Sequence, residues 1–157
     1  MKGKTIDYSR TVISQVMLPS EANPAGNVHG GEIMKMMDNA AFVVAVKHCR
    51  TNVVTARVDE LEFHQPIFVG QLVTCHAHLV FVGRSSMEVS VTVEVEDLKV
   101  DKPPQRALTA YFTMVALDEN GKPCEVPRLL LKDEKERAAF EEGKRRYEAH
   151  KQSRQRS

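Results

Sequence analysis

The chain has 157 residues, 42% hydrophobic and 27% charged, and its lysines plus arginines (22) almost balance its aspartates plus glutamates (21), for a formal net charge of +1. That is enough chain for one ordinary core, too little for two comfortable ones, and too apolar for a disordered polymer. The charge balance gives no global reason to expect a nucleic-acid or membrane-surface protein.

The longest apolar run, residues 40–46, is far short of the roughly 20 residues that span a bilayer. The first residues lead into mixed polar sequence, so no secretory leader is expected. Cys49, Cys75 and Cys124 are far apart and lack CxxC spacing, which reads as reduced thiols in a cytoplasmic protein.

In chain order, a first strand is expected over residues 11–18, followed by an irregular loop over 19–30 that carries two prolines and two glycines. Residues 31–49 are apolar on nearly every side apart from Lys35 and Asp38, the pattern of a buried helix. Strand signals dominate after residue 52, over 53–63, 71–82, 87–96 and 106–117, with Pro66, Gly70, Gly83, Pro103 and Pro104 between them. The clearest is 87–96, where Met87, Val89, Val91, Val93 and Val95 alternate with Glu88, Ser90, Thr92, Glu94 and Glu96. Period two predicts one buried and one wet face. A strand, a buried helix and then four strands in meander-like succession imply an α+β domain with an antiparallel sheet and its helix on one face. From Lys132 the composition turns to charge, with Ala138, Ala139, Phe140 and Tyr147 as the apolar contacts. One domain over 1–131 is expected, then a charged surface helix and a basic, frayed tail (Lys151, Arg154, Arg156) over 132–157.

Several chemical devices are absent. There is no GxSxG elbow and no GxGxxG turn, and Gly3-Lys4-Thr5 lacks the upstream glycine of a phosphate loop. His76 and His78 share one strand face, yet a zinc site needs a third ligand and no carboxylate or cysteine obviously pairs with them. What remains is Ala22-Asn23-Pro24-Ala25-Gly26-Asn27-Val28-His29-Gly30-Gly31, followed by the helix that carries Asp38. Paired glycines at a helix start expose backbone N–H groups where the dipole favours negative charge, as an oxyanion requires. A carboxylate in an apolar helix needs a partner or a cavity, and it can act as base or nucleophile. Asp38 lies seven residues beyond Gly31, about 10 Å along a helix. Both therefore serve one small carbonyl more easily across a twofold axis than within one chain. The same residues also fit a structural reading, in which Asn23 caps a turn, the glycines fit that turn and Asp38 is a satisfied core acid.

Residues 21–31 and Met34-Lys35-Met36-Met37-Asp38 resemble the signature of hot-dog-fold acyl-coenzyme A thioesterases, specifically the cytosolic acyl-CoA hydrolase family that includes the brain-type enzyme. The similarity continues through Ala56-Arg57-Val58-Asp59, Phe63, Pro66, Ser85-Ser86-Met87-Glu88-Val89 and Gly143-Lys144-Arg145-Arg146-Tyr147. The resemblance implies a central helix wrapped by an antiparallel sheet, homodimers built into trimers of dimers, and hydrolysis of fatty acyl-CoA to free acid and coenzyme A without metal or redox cofactor. It implies that Asn23 and Asp38 act from opposite protomers, that the Gly31 amide stabilises the oxyanion, and that His29 and Gly30 shape the turn. For the coenzyme A phosphates it points to Gly83, Arg84, Ser85 and Ser86, with Arg57, Lys144 and Arg145 as further cations. The alternatives are a hot-dog acyl-thioester dehydratase using His29 with a carboxylate, or a non-catalytic acyl-CoA or nucleotide sensor. A nucleic-acid role for the tail is disfavoured by its glutamates and its lack of interleaved aromatics.

Overall fold

Alternating apolar side chains make the sheet, and one long apolar helix supplies what the sheet packs against. The computed structural model describes residues 1–59 and 61–156, Arg156 by its backbone alone. Glu60, inside the strand expected over 53–63, and Ser157, the end of the expected tail, lie outside the described residues. The elements are β1 (Lys4–Thr5), α1 (Ile6–Ser9), β2 (Thr11–Val16), a 3₁₀ turn (Pro19–Glu21), α2 (Gly30–Cys49), β3 (Asn52–Asp59), β4 (Leu72–Val82), β5 (Ser86–Glu96), β6 (Gln105–Leu117), β7 (Leu129–Leu130) and α3 (Glu134–Arg156).

Five strands form one antiparallel sheet in the order β2-β4-β5-β6-β3. Only β4 to β6 form the expected meander. β3 precedes them in sequence but pairs with β6 at the far edge, because the chain after it crosses to the other side of the sheet. The inner face carries Val73, Cys75, Ala77 and Leu79, the β5 set from Met87 to Val95, and Leu108, Ala110, Phe112 and Met114, all buried. Against it lie Ile33, Met36, Met37, Ala40, Ala41, Val44 and Ala45 of α2. This is the hot-dog fold, a sheet wrapped on one long helix.

Three expectations are corrected by the packing. α2 is not buried all round: Gly31, Lys35 and Asn39 stay exposed, and Phe42 keeps 44% of its surface, because the sheet covers only one side of the helix. β5 is wet along only part of its second face, since α3 lies across the start of that outer face and buries Glu88 to 4% and Ser90 to 8%, while Thr92, Glu94 and Glu96 stay partly exposed. Over the stretch expected as a basic, frayed tail, α3 continues as helix to Arg156. Two short segments carry no strand pattern in sequence, β1 and β7, which pair in parallel through Lys4 with Leu129 and Thr5 with Leu130.

α3 is held by specific contacts. Phe81 packs against Phe140 and Tyr147 with ring centroids 5.0 and 5.4 Å apart. Arg146 donates to both carboxylate oxygens of Glu88 at 2.7–3.1 Å and lies 3.8 Å over the Tyr111 ring. Gly143 sits where a Cβ would stand 2.7 Å from that of Phe81, so helix and strand approach as closely as glycine allows. A register shift in β4 between Leu79 and Phe81 leaves Val80 unpaired and turns Phe81 from the inner face to the face under α3.

Candidate active site

The loop before α2 is held by its own polar groups. Asn23 Oδ1 accepts from the amides of Ala25 (3.0 Å) and Asn27 (3.1 Å), and the Asn23 amide donates to the Asn27 carbonyl at 2.7 Å. Gly26 turns this loop with a φ of +92°, which favours glycine. His29 precedes the helix, exposed, and its side chain makes no capping hydrogen bond. The first-turn amides of Gly30 and Gly31 therefore meet no capping side chain at the positive end of the helix dipole. Nothing stands within 4 Å of where a Gly31 Cβ would be, so that side of the helix start is open.

Asp38 lies two turns further along α2, half-buried, and its Oδ1 accepts a 2.6 Å hydrogen bond from Thr55 Oγ1 on β3. The Thr55 hydroxyl also stands 3.4 Å from Met114 Sδ. A β-bulge places it there. Thr55 pairs with Met114 and Arg57 pairs with Thr113, which leaves Ala56 as the extra residue. Thr55 thus faces α2 from the inner layer, while Arg57, two residues on, faces outward.

Asn23 and Gly30 line one hollow of about 410 Å³ with Asn27, Ile33, Phe63 and His64; Asp38 is outside it. Within one chain the structure gathers Asn23 with the helix start, and Asp38 with Thr55, as two separate half-sites. Sequence reading missed Thr55, because a bulge carries no residue signature inside Val53-Val54-Thr55-Ala56.

The expected coenzyme A residues also divide. Gly83, Arg84, Ser85 and Ser86 form the β4–β5 turn, closed by the Gly83 amide on the Ser86 carbonyl at 2.9 Å. Arg84 is exposed and borders a hollow with Gly83, Glu125 and Arg128. Ser86 and Arg57 instead line a cavity of about 210 Å³ between the outer face and α3. Lys144 and Arg145 are exposed on α3 and line neither. Arg57 is bonded to Asp59 at 2.8 Å. His76, expected to lack a carboxylate neighbour, has Glu94 at 3.2 Å across the β4–β5 ladder. Among the described residues no three His, Cys, Asp or Glu side chains gather as metal ligands.

Residues 25–102 match the thioesterase superfamily family model. Protein VdlD of Helicobacter pylori is 37% identical over 144 residues, covering 92% of this chain and 82% of its own. The chain belongs to the thioesterase superfamily. The cytosolic acyl coenzyme A thioester hydrolase of Rattus norvegicus is 42% identical over 153 residues, and this thioesterase-superfamily chain spans about 40% of that relative's length. A solved apo-hexameric acyl-CoA thioesterase superposes with a TM-score of 0.90 at 31% identity, over 98% of this chain and 97% of that one. The acyl-CoA hydrolase of Staphylococcus aureus, solved with butyryl coenzyme A, coenzyme A and coenzyme A disulfide, superposes with a TM-score of 0.86 at 32% identity, over 96% and 92%. That hydrolase was also solved with an asparagine, an aspartate and a threonine each replaced by alanine, the asparagine variant holding coenzyme A. Those three positions are separated by 15 and 17 residues, the same spacing as Asn23, Asp38 and Thr55 in this thioesterase chain.

Proposed function

We propose that the protein hydrolyses fatty acyl-CoA thioesters to free acid and coenzyme A in the cytoplasm. The observation that carries this reading is the Asp38–Thr55 pair, a half-buried carboxylate oriented by one hydroxyl on the open stripe of α2. The matching spacing of the three substituted positions in the Staphylococcus aureus hydrolase supports it. Asp38 would take the proton of an attacking water or attack the thioester carbonyl itself. The Gly31 amide would hold the oxyanion, with Gly30 and His29 shaping the turn that presents it. Asn23 would orient the water or the thioester. No cofactor enters this scheme.

The active unit would be a homodimer, built into a trimer of dimers. Two half-sites that stay apart within one chain support it, as do the exposed side of α2 and the unpaired edge of β3, whose residues 54–57 are exposed. An open edge strand invites a second copy. The hot-dog domain would occupy 1–131 with α3 appended, and coenzyme A would be held by the 83–86 turn and Arg57, with Lys144 and Arg145 as outlying cations.

Thiol release from acyl-CoAs of graded chain length tests the reading, using wild type, Asp38→Asn and Asn23→Ala. Turnover that both substitutions abolish with the fold intact is expected. Activity surviving in Asp38→Asn would remove Asp38 from the mechanism, and no release from any acyl-CoA would remove the hydrolase.

A further inference from the structure

The hollow beside Asn23 is apolar below and polar but uncharged above. Val28, Ile33 and Ile67, at most 7% exposed, form its floor. They belong to the main core, so the fold fixes their positions. Asn23, Asn27, His64 and Gln65 bring amide and imidazole groups to its rim, and among the described residues no lysine, arginine, aspartate or glutamate lines it. Phe63 is its one large aromatic wall. It lies outside the core, keeps 45% of its surface and sits on the segment between β3 and β4. Backbone bonds hold that segment at two points, from the His64 amide to the Ala107 carbonyl at 2.8 Å and from the Val28 amide to the Ile67 carbonyl at 2.7 Å. The ring reaches over the start of α2, its Cζ 3.5 Å from where a Gly30 Cβ would stand. The depth of the hollow is therefore set by one side chain that the fold does not otherwise need.

We infer that this hollow receives the acyl chain and that Phe63 limits the length it accepts, so that the preferred substrates carry neutral acyl groups of intermediate size. The inference rests on the hydrolase reading: a thioester oxygen held by the Gly31 amide leaves its acyl chain at the lip formed by Gly30 and Asn23. A volume of about 410 Å³ lies near the small end of ligand pockets. Each methylene that enters it adds about fourfold to kcat/KM, the worth of one buried CH₂, until the chain meets the ring. A terminal carboxylate carried into the same lining would lose its hydration with no cation to replace it. The neighbouring hollow of about 250 Å³ shares Gln65 and Pro66 but is lined by Asp97 and Lys102, whose charges an alkyl chain would desolvate.

Specificity constants for straight-chain acyl-CoAs from acetyl to palmitoyl, measured on wild type, Phe63→Ala and Phe63→Trp, test the inference. For wild type, kcat/KM should climb with length to a limit and then level or fall. Phe63→Ala should move that limit to longer chains and Phe63→Trp to shorter ones, each by about two methylenes. Inhibition by free coenzyme A should stay as in wild type, and so should circular dichroism, because the ring is half-exposed and outside the core. Glutaryl-CoA should be poorer than hexanoyl-CoA by at least about tenfold. A limit that neither variant moves overturns the role of Phe63. A loss shared equally by all chain lengths, with weaker inhibition by coenzyme A, would put the pantetheine arm in the hollow and overturn the inference. Glutaryl-CoA turned over as fast as hexanoyl-CoA would overturn it as well. Failure of the hydrolase reading looks different: wild type then releases no thiol from any acyl-CoA.

Discussion

At the scale of single residues, Thr55 has one hydroxyl proton and two acceptors near it, the Asp38 carboxylate at 2.6 Å and the Met114 sulfur at 3.4 Å. The shorter, charge-assisted bond dominates and fixes the carboxylate rotamer. Thr55→Val keeps the shape and removes the bond. It should lower kcat about 10- to 100-fold, the worth of a hydrogen bond to a charged group, and leave KM nearly unchanged; Thr55→Ser should retain most of the rate. An undiminished kcat in Thr55→Val would make the bond structural only. A second residue-scale consequence concerns acid. His48 is fully buried, its Nε2–H donates to the Pro127 carbonyl at 2.7 Å, and its Nδ1 is buried without a partner. Burial holds its pKa below the ordinary 6.5, and the nearby Lys4 pushes the same way against the Pro127 bond. His78 is lowered too, again mainly by burial. Between the folded and unfolded pKa values the unfolded chain binds more protons, so stability rises with pH there and is lost as pH falls below about 6.5. The urea midpoint should drop from pH 7.5 to pH 5, and more gently in His48→Gln/His78→Gln. Equal slopes in the two proteins would assign the acid sensitivity elsewhere.

At the scale of elements, the clasp of α3 on the sheet is the feature least evident beforehand. The Glu88 side chain is only 5% exposed, so its charge depends on Arg146. Arg146→Met should cost about 3–5 kcal/mol by leaving that carboxylate buried and unpaired, whereas Arg146→Met with Glu88→Leu should recover most of the loss. Urea unfolding of the three proteins checks this, and additive losses in the double variant would refute the coupling. The sequence carries the alternation of 87–96 plainly, and with it the inner face. It does not say that the polar face of that strand will be covered, because a Glu or Ser outside a strand looks the same in water as beneath a helix. α3 was legible as a helix from its charge pattern, but its inner stripe of Phe140, Gly143, Arg146, Tyr147 and His150 is mostly polar. Bulges at Val80 and Ala56 are equally silent, and they decide which way Phe81, Thr55 and Arg57 face. Asn23, Gly31 and Asp38 stood out because a polar loop, paired glycines and a lone acid interrupt apolar sequence; Thr55, an ordinary strand residue, did not.

At the scale of the whole molecule, the division of the site decides how many chains catalysis needs. Asn23 belongs to the hollow at the start of α2, and Asp38 to the exposed stripe two turns on, beside Phe42 and the open edge of β3. If Asn23 of one protomer serves Asp38 of its partner, two inactive variants can rescue each other. A dimer of one Asn23→Ala chain and one Asp38→Asn chain contains one site with both defects and one site with none. Random reassortment of equal amounts makes half the dimers mixed, so the mixture should recover about one quarter of the wild-type rate. If both residues of a site came from the same chain, every site in every dimer would carry one defect and the mixture would stay as inactive as its parts. Denaturing and refolding the two variants together, with thiol release as the readout, separates these outcomes. Phe42→Asp supplies the link to assembly. A charge on that exposed apolar position should shift the protein to monomer in sedimentation and abolish turnover in the same preparation, while circular dichroism stays native. A fully active monomer would mean that the half-sites close within one chain.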